Sequence, residues 1–154
     1  MGGRLEFIWN LLGDYMGGFP ENGHYLFLII FTNNSAVSFL AMILGVFLGI
    51  FPILVIALNG IVIGVVSLNF IESHGLQYLL LGTLPHGVIE IPVFLLSAGI
   101  GLKLGYKSFR KIAFKEEGIV EEVRKGIKLF LIFILPMIFL AALIESFVTP
   151  LLIW

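Results

Sequence analysis

Residues 53–71 read ILVIALNGIVIGVVSLNFI, without one charged side chain. Wound as a helix, a run of about 20 apolar residues matches the thickness of a bilayer's hydrocarbon core. Three further stretches, about 34–51, 86–106 and 126–147, are predominantly apolar as well. In hydrocarbon every backbone N–H and C=O must be bonded internally, which leaves α-helices or closed barrels. These runs are continuously apolar rather than alternating, so helices are expected. Composition agrees: only 12% of residues are charged, against roughly 25% in a soluble domain, and a single core of this size cannot hide the apolar remainder. The expected fold class is all-α: a polytopic transmembrane helix bundle with about four spanning helices plus short interfacial or re-entrant helices.

Polar, Gly and Pro residues set the boundaries. Residues 1–23 are a Gly-rich lead-in with Leu5, Ile8, Trp9 and Leu12 at helical spacing, read as an N-terminal interfacial segment or a partly ordered tail. Residues 24–154 are expected to form a single transmembrane helical domain. Thr32, Asn33, Asn34 and Ser35 are N-cap residue types, which starts the first span near 34 after an apolar approach segment at 25–31. One tilted helix covering both is the alternative. Pro52 marks a tight turn before the second span. Residues 72–75 break that span, and 76–84 are too short to cross, so they read as interfacial or re-entrant. Pro85 then opens the third span. Residues 107–125 form a charged loop whose Glu and Lys/Arg spacings suit a short solvated helix. The fourth span carries Pro136, an expected kink, and Trp154 suits an interfacial anchor.

Charge is placed unevenly. All but one of the Lys and Arg residues lie between Lys103 and Lys128, the exception being Arg4. Lys and Arg crowd cytoplasmic loops, so 107–125 is expected to be cytoplasmic, and both termini and the 72–86 connection outside, in a multi-pass plasma-membrane protein. The opening residues lack the basic, apolar and cleavage regions of a removable signal peptide, so targeting is expected to fall to the spans. Cysteine is absent, which excludes disulfides, thiolate metal sites and cysteine nucleophiles.

This topology gathers polar residues at the outer face. Asn33 and Asn34 open the first span, Glu72 and His74 close the second, His86 and Glu90 begin the third, and Glu145 and Thr149 end the fourth. Ionisable groups at membrane depth are expensive unless paired or hydrated, which makes an intramembrane His/Glu cluster a functional candidate. Glu72, His74 and Glu145 also fit ordinary headgroup contacts. Glu90, flanked by Ile89, Ile91, Val93 and Phe94, calls for a polar interior. His86 and Glu90 share a helix face, and Ser97 and Gly101 continue it as a pore or packing stripe. Asn59 is expected to donate an interhelical hydrogen bond. Pairs such as Gly45/Gly49, Gly60/Gly64 and Gly101/Gly105 permit close helix approach within the bundle. His86, Glu90 and Glu145 are ligand types that zinc accepts, yet their order is not His-Glu-x-x-His, and no metal or cofactor is assigned. No catalytic triad, phosphate loop or nucleic-acid motif is present, so an enzyme is not expected.

Three segments carry a resemblance: FTNNS at 31–35, LPHGVIEIP at 84–92 and AALIESFVTP at 141–150. Together with the order of segments around Gly45–Gly64, they resemble the stage II sporulation protein M family across about residues 25–150. The resemblance implies a multi-pass membrane protein. In endospore-forming bacteria the family's member joins a membrane complex with peptidoglycan-remodelling partners during engulfment. Relatives also occur in organisms that make no spores, including archaea, and longer members carry an additional span before the region matching residue 24. Asn33, Asn34, His86, Glu90 and Glu145 fall on family motif positions.

Two functions follow as expectations. One is an oligomeric channel or transporter moving small cations or protons past the His/Glu cluster; four spans are few for a pathway in one chain, so a homo-oligomer, dimer or larger, is implied. The other is a non-enzymatic scaffold in the lipid bilayer that recruits protein partners at the 107–125 loop. The topology has a direct test, since the chain has no cysteine of its own. A membrane-impermeant maleimide should label Ser73→Cys on intact cells and Lys111→Cys only after permeabilisation. The reverse pattern would invert the orientation.

Overall fold

The computed structural model describes residues 23–153, and among these every regular element is a helix. The expected interfacial segment at 1–23, apart from Gly23, and Trp154 lie outside the described residues. Helix α1 runs Gly23–Ile43 and ends in a 3₁₀ turn, Leu44–Val46. Helix α2 is Ile50–His74 and α3 is Leu76–Phe114. A fourth rod follows, built from α4 (Ile119–Leu129), a π turn (Phe130–Ile134), α5 (Leu135–Leu143), a second π turn (Ile144–Val148) and α6 (Thr149–Ile153). All four rods are long and apolar enough to cross a membrane.

The structure redraws several boundaries. Helix α1 passes straight through Thr32–Ser35 instead of starting there, so the single helix held as the alternative is the one that forms. The Asn33 amide bonds to Asn34 beside it (3.3 Å) rather than capping a helix end. Phe27 and Phe31 both pack edge-on against Phe139 of α5, at ring separations of 5.2 and 5.6 Å, and such packing outweighs a local capping preference. Residues 76–84 are likewise no separate re-entrant piece but the first turns of α3, which contains Pro85 and Pro92. At 39 residues, α3 is about 58 Å long, and hydrocarbon covers only about 30 Å of it.

The expected charged loop is mostly helix. Only 115–118 lie between α3 and α4, with Lys115 (φ 56°) and Gly118 (φ 105°) in left-handed conformations. Arg110 pairs with Glu116 across this bend. Lys103 of α3 reaches Glu122 of α4 at 2.7 Å, which ties the third and fourth rods at their basic end.

Helix α3 is the central rod and packs against the other three. Its Val93 and Leu104 join Met42, Phe130, Ile134 and Ile138 in the buried core. Lipid is as apolar as leucine, so this core is held by close packing rather than by exclusion of water. The closest packing is backbone on backbone. A Cβ at Gly45 would collide with the Gly101 backbone, one at Gly101 with the Ala41 carbonyl, and one at Gly105 with Gly49. Gly49 itself has φ 75° and caps the start of α2, where an L side chain would be strained. Beside this seam the Ser97 hydroxyl, fully buried, donates to the Ser38 carbonyl at 2.7 Å. Gly60 and Gly64, by contrast, have no atom near an added Cβ.

The two glycine sets therefore respond in opposite ways to alanine. Gly101→Ala should destabilise the bundle by about 1–3 kcal/mol, the usual range for overpacking. Gly64→Ala should be neutral or stabilising by up to about 1 kcal/mol, from helix propensity. Thermal melts in detergent read both; equal responses would contradict the seam.

Candidate functional site

The second π turn places the site's least predictable residue. Proline lacks an N–H, and its ring clashes with the carbonyl four residues earlier. Pro136 and Pro150 each stand two residues beyond a π turn, and the threatened carbonyls, of Ile132 and Ser146, lie inside those turns. Widening the helix to π geometry relieves the clash without breaking the rod, and such turns recur at functional sites. Glu145 sits within the second one.

Across from it, His86 and Glu90 stand one turn apart on α3. Ligand-type atoms of His86, Glu90 and Glu145 all lie within 4.8 Å of one another. His86 Nε2 is 4.0 Å from Glu145 Oε2, beyond hydrogen-bond distance. Both side chains are largely shielded, at 14% and 31% exposure. Among the described residues His86 Nδ1 is buried without a hydrogen-bond partner, and so are the hydroxyls of Ser146 and Thr149 on the same rod as Glu145.

Depth follows from helix rise. Measured back along α3 from Lys103, a hydrocarbon core of about 30 Å reaches roughly to residue 83. With Lys103 set at one edge of that core, His86 and Glu90 fall inside it, in the half farther from the basic end. Among the described residues no Lys or Arg precedes Lys103 or follows Lys128. The nearest cations along the helices are therefore about 20 Å from Glu90 and about 25 Å from Glu145. Among the described residues the two carboxylates share the His86 imidazole, with no Lys or Arg within reach.

The remaining polar candidates disperse. Glu72 and His74 are exposed at the end of α2, where His74 stacks on Phe70 with ring centroids 4.7 Å apart. Asn33 and Asn34 pair with each other on α1. Asn59 donates to Val55 of its own helix at 2.8 Å, in place of the expected interhelical bond. Ser97 and Gly101 are wholly engaged in packing against α1. Thr149 is buried one turn beyond Glu145. Sequence reasoning did not find the Lys103–Glu122 tie, the Ser38 acceptor or the π turns; the proline spacing was the only available sign of the last.

Comparison with known proteins places the chain. It matches the description "Stage II sporulation protein M" over residues 7–150, which include all three segments noted in the sequence and all of the His/Glu trio. The chain belongs to the stage II sporulation protein M family. Two uncharacterized proteins of Methanocaldococcus jannaschii are similar to it. One is 32% identical over 138 residues, covering 88% of this chain and 77% of that protein. The other is 32% identical over 134 residues, covering 84% of this chain and 58% of that protein. No solved structure matches.

The trio's isolation predicts how it responds to neutralisation. A charge near the centre of a span is disfavoured by roughly 2.5–3.5 kcal/mol on insertion scales. Glu90→Gln and Glu145→Gln keep the side-chain volume and remove the charge, so both should melt in detergent at or above the wild-type midpoint. A fall of many degrees would make the carboxylates structural locks. Ser97→Ala should cost about 1 kcal/mol, the worth of one buried hydrogen bond.

Proposed function

We propose that this member of the stage II sporulation protein M family is an oligomeric channel or transporter that moves cations or protons past His86, Glu90 and Glu145. One observation carries the reading: two carboxylates and an imidazole meet between two apolar rods, with no Lys or Arg of the described residues near them. Intramembrane ionisable groups mark ion pathways and proton relays by default. A shielded site of net negative charge attracts cations, and a His–Glu pair accepts and passes on protons. Homo-oligomerisation belongs to this reading, because three rods packed on a central α3 leave little room for an aqueous path in one chain.

The side assignment completes the proposal. With the basic bend cytoplasmic, the trio lies near the outer face, so a cation arriving from outside meets the carboxylates first. The plasma membrane is the expected location.

A second reading has its own support. Around the bend, Lys111, Lys115, Glu117, Glu121, Arg124 and Lys125 are exposed, a charged surface suited to a protein partner. On that reading the chain is a non-enzymatic scaffold, in keeping with the sporulation complex from which the family takes its description.

Flux separates the two. In proteoliposomes the wild type should conduct cations or protons above empty vesicles, and Glu90→Gln and His86→Ala should reduce the rate at least tenfold while remaining helical and of unchanged oligomer size. No flux across several ions, pH values and both polarities would favour the scaffold.

A further inference from the structure

We propose that His86, Glu90 and Glu145 form a binding site for a divalent transition-metal ion of the zinc and cobalt type. The inference concerns the same trio as the transport reading and names the class of cation it takes. The spacing is the first argument. The three ligand-type atoms lie within 4.8 Å of one another, with His86 Nε2 4.0 Å from Glu145 Oε2. That is too long for a hydrogen bond. Two ligands about 2.1 Å from one tetrahedral ion stand about 3.4 Å apart. Small side-chain rotations close the difference, so the groups are arranged around a common partner rather than bonded to each other.

Charge is the second argument. Two carboxylates and a neutral imidazole carry two negative charges, which one divalent cation balances. No Lys or Arg among the described residues is positioned to do so. A balanced site also removes much of the penalty for charge at this depth.

Ligand chemistry gives the metal class. Imidazole selects zinc, copper, iron, cobalt or nickel, whereas magnesium and calcium prefer oxygen ligands throughout. Three protein ligands leave one position open in a tetrahedral site. His86 Nδ1 is buried and unbonded, so no protein partner already fixes the ring, and it is free to turn a nitrogen to an ion. The Ser146 and Thr149 hydroxyls, also buried and unbonded, sit beside and one turn beyond Glu145 on the rod that supplies it. The rigidity of the α3 backbone and the π turn set the ligands on two rods, so the ion would bridge the third and fourth rods at the end opposite the Lys103–Glu122 tie.

The test uses the full chain, purified without a histidine tag and stripped of metal. Cobalt(II) titration should give one equivalent per chain, with the intense visible absorption of a four- or five-coordinate ion, displaced by zinc and not by magnesium. His86→Ala and Glu145→Gln should each weaken binding more than about tenfold, while His74→Ala, at the exposed end of α2, should leave it unchanged. The wild-type spectrum needs no variant, so a variant that fails to fold does not spoil the test. Absence of a stoichiometric cobalt or zinc site, or affinity equal in wild type and His86→Ala, would overturn the proposal. Stoichiometric metal without flux supports the site and removes the transport reading. Proton flux without metal binding does the opposite.

Discussion

Gly45 and Gly101, with Gly49 and Gly105 one turn on, bring the backbones of α1, the following turn and α3 into direct contact. In a bilayer no hydrophobic force selects this pairing over lipid contact, so its stability rests on dispersion and backbone polar contacts that only side-chain-free surfaces allow. Such a seam tolerates almost no slip. A shift of one residue would drive a side chain into the opposing carbonyl and pull the Ser97 hydroxyl off Ser38. The longest rod is thereby fixed in register against α1, and α1 in turn holds the fourth rod through Phe27, Phe31 and Phe139. The meeting of His86 with Glu145 depends on both contacts.

The chain is polarised along the membrane normal. At one end Lys103, Arg110 and their carboxylate partners pair across a short bend in well-hydrated surroundings. At the other, His86, Glu90 and Glu145 gather with no Lys or Arg of the described residues within reach. Ion pairs at the first end satisfy charge locally. Among the described residues no Lys or Arg offers the second end the same pairing, and the proposed transport and metal readings both start from that difference. The prolines of the fourth rod contribute more than kinks: Pro136 and Pro150 each follow a π turn, and the second turn carries Glu145.

Much of this was legible from sequence. The four spans, the basic bend and the three trio residues follow from apolar run length, Lys/Arg placement and the price of intramembrane carboxylates. What failed has a common physical cause. Asn33 and Asn34 are capping residues by type, but in apolar surroundings they turn to each other and the helix runs on. Asn59 satisfies its amide within its own helix. Residues 76–84 are too short to span alone, yet α3 runs through Pro85 and joins them to the following span. Local residue types were read correctly, and tertiary packing overruled the boundaries they suggested. Which glycine pairs form the seam was also beyond the sequence, since Gly60/Gly64 has the same spacing as Gly101/Gly105 and faces open space.

The central claim is that the third and fourth rods meet at His86 and Glu145. A double-mutant cycle tests it most directly, with unfolding free energies in detergent for His86→Ala, Glu145→Ala and the pair. Contacting residues depart from additivity by about 0.5–3 kcal/mol, whereas distant ones add within about 0.3–0.5 kcal/mol. The structure predicts a departure above that threshold. Simple additivity would mean that the two side chains do not meet, and the site described here would not exist.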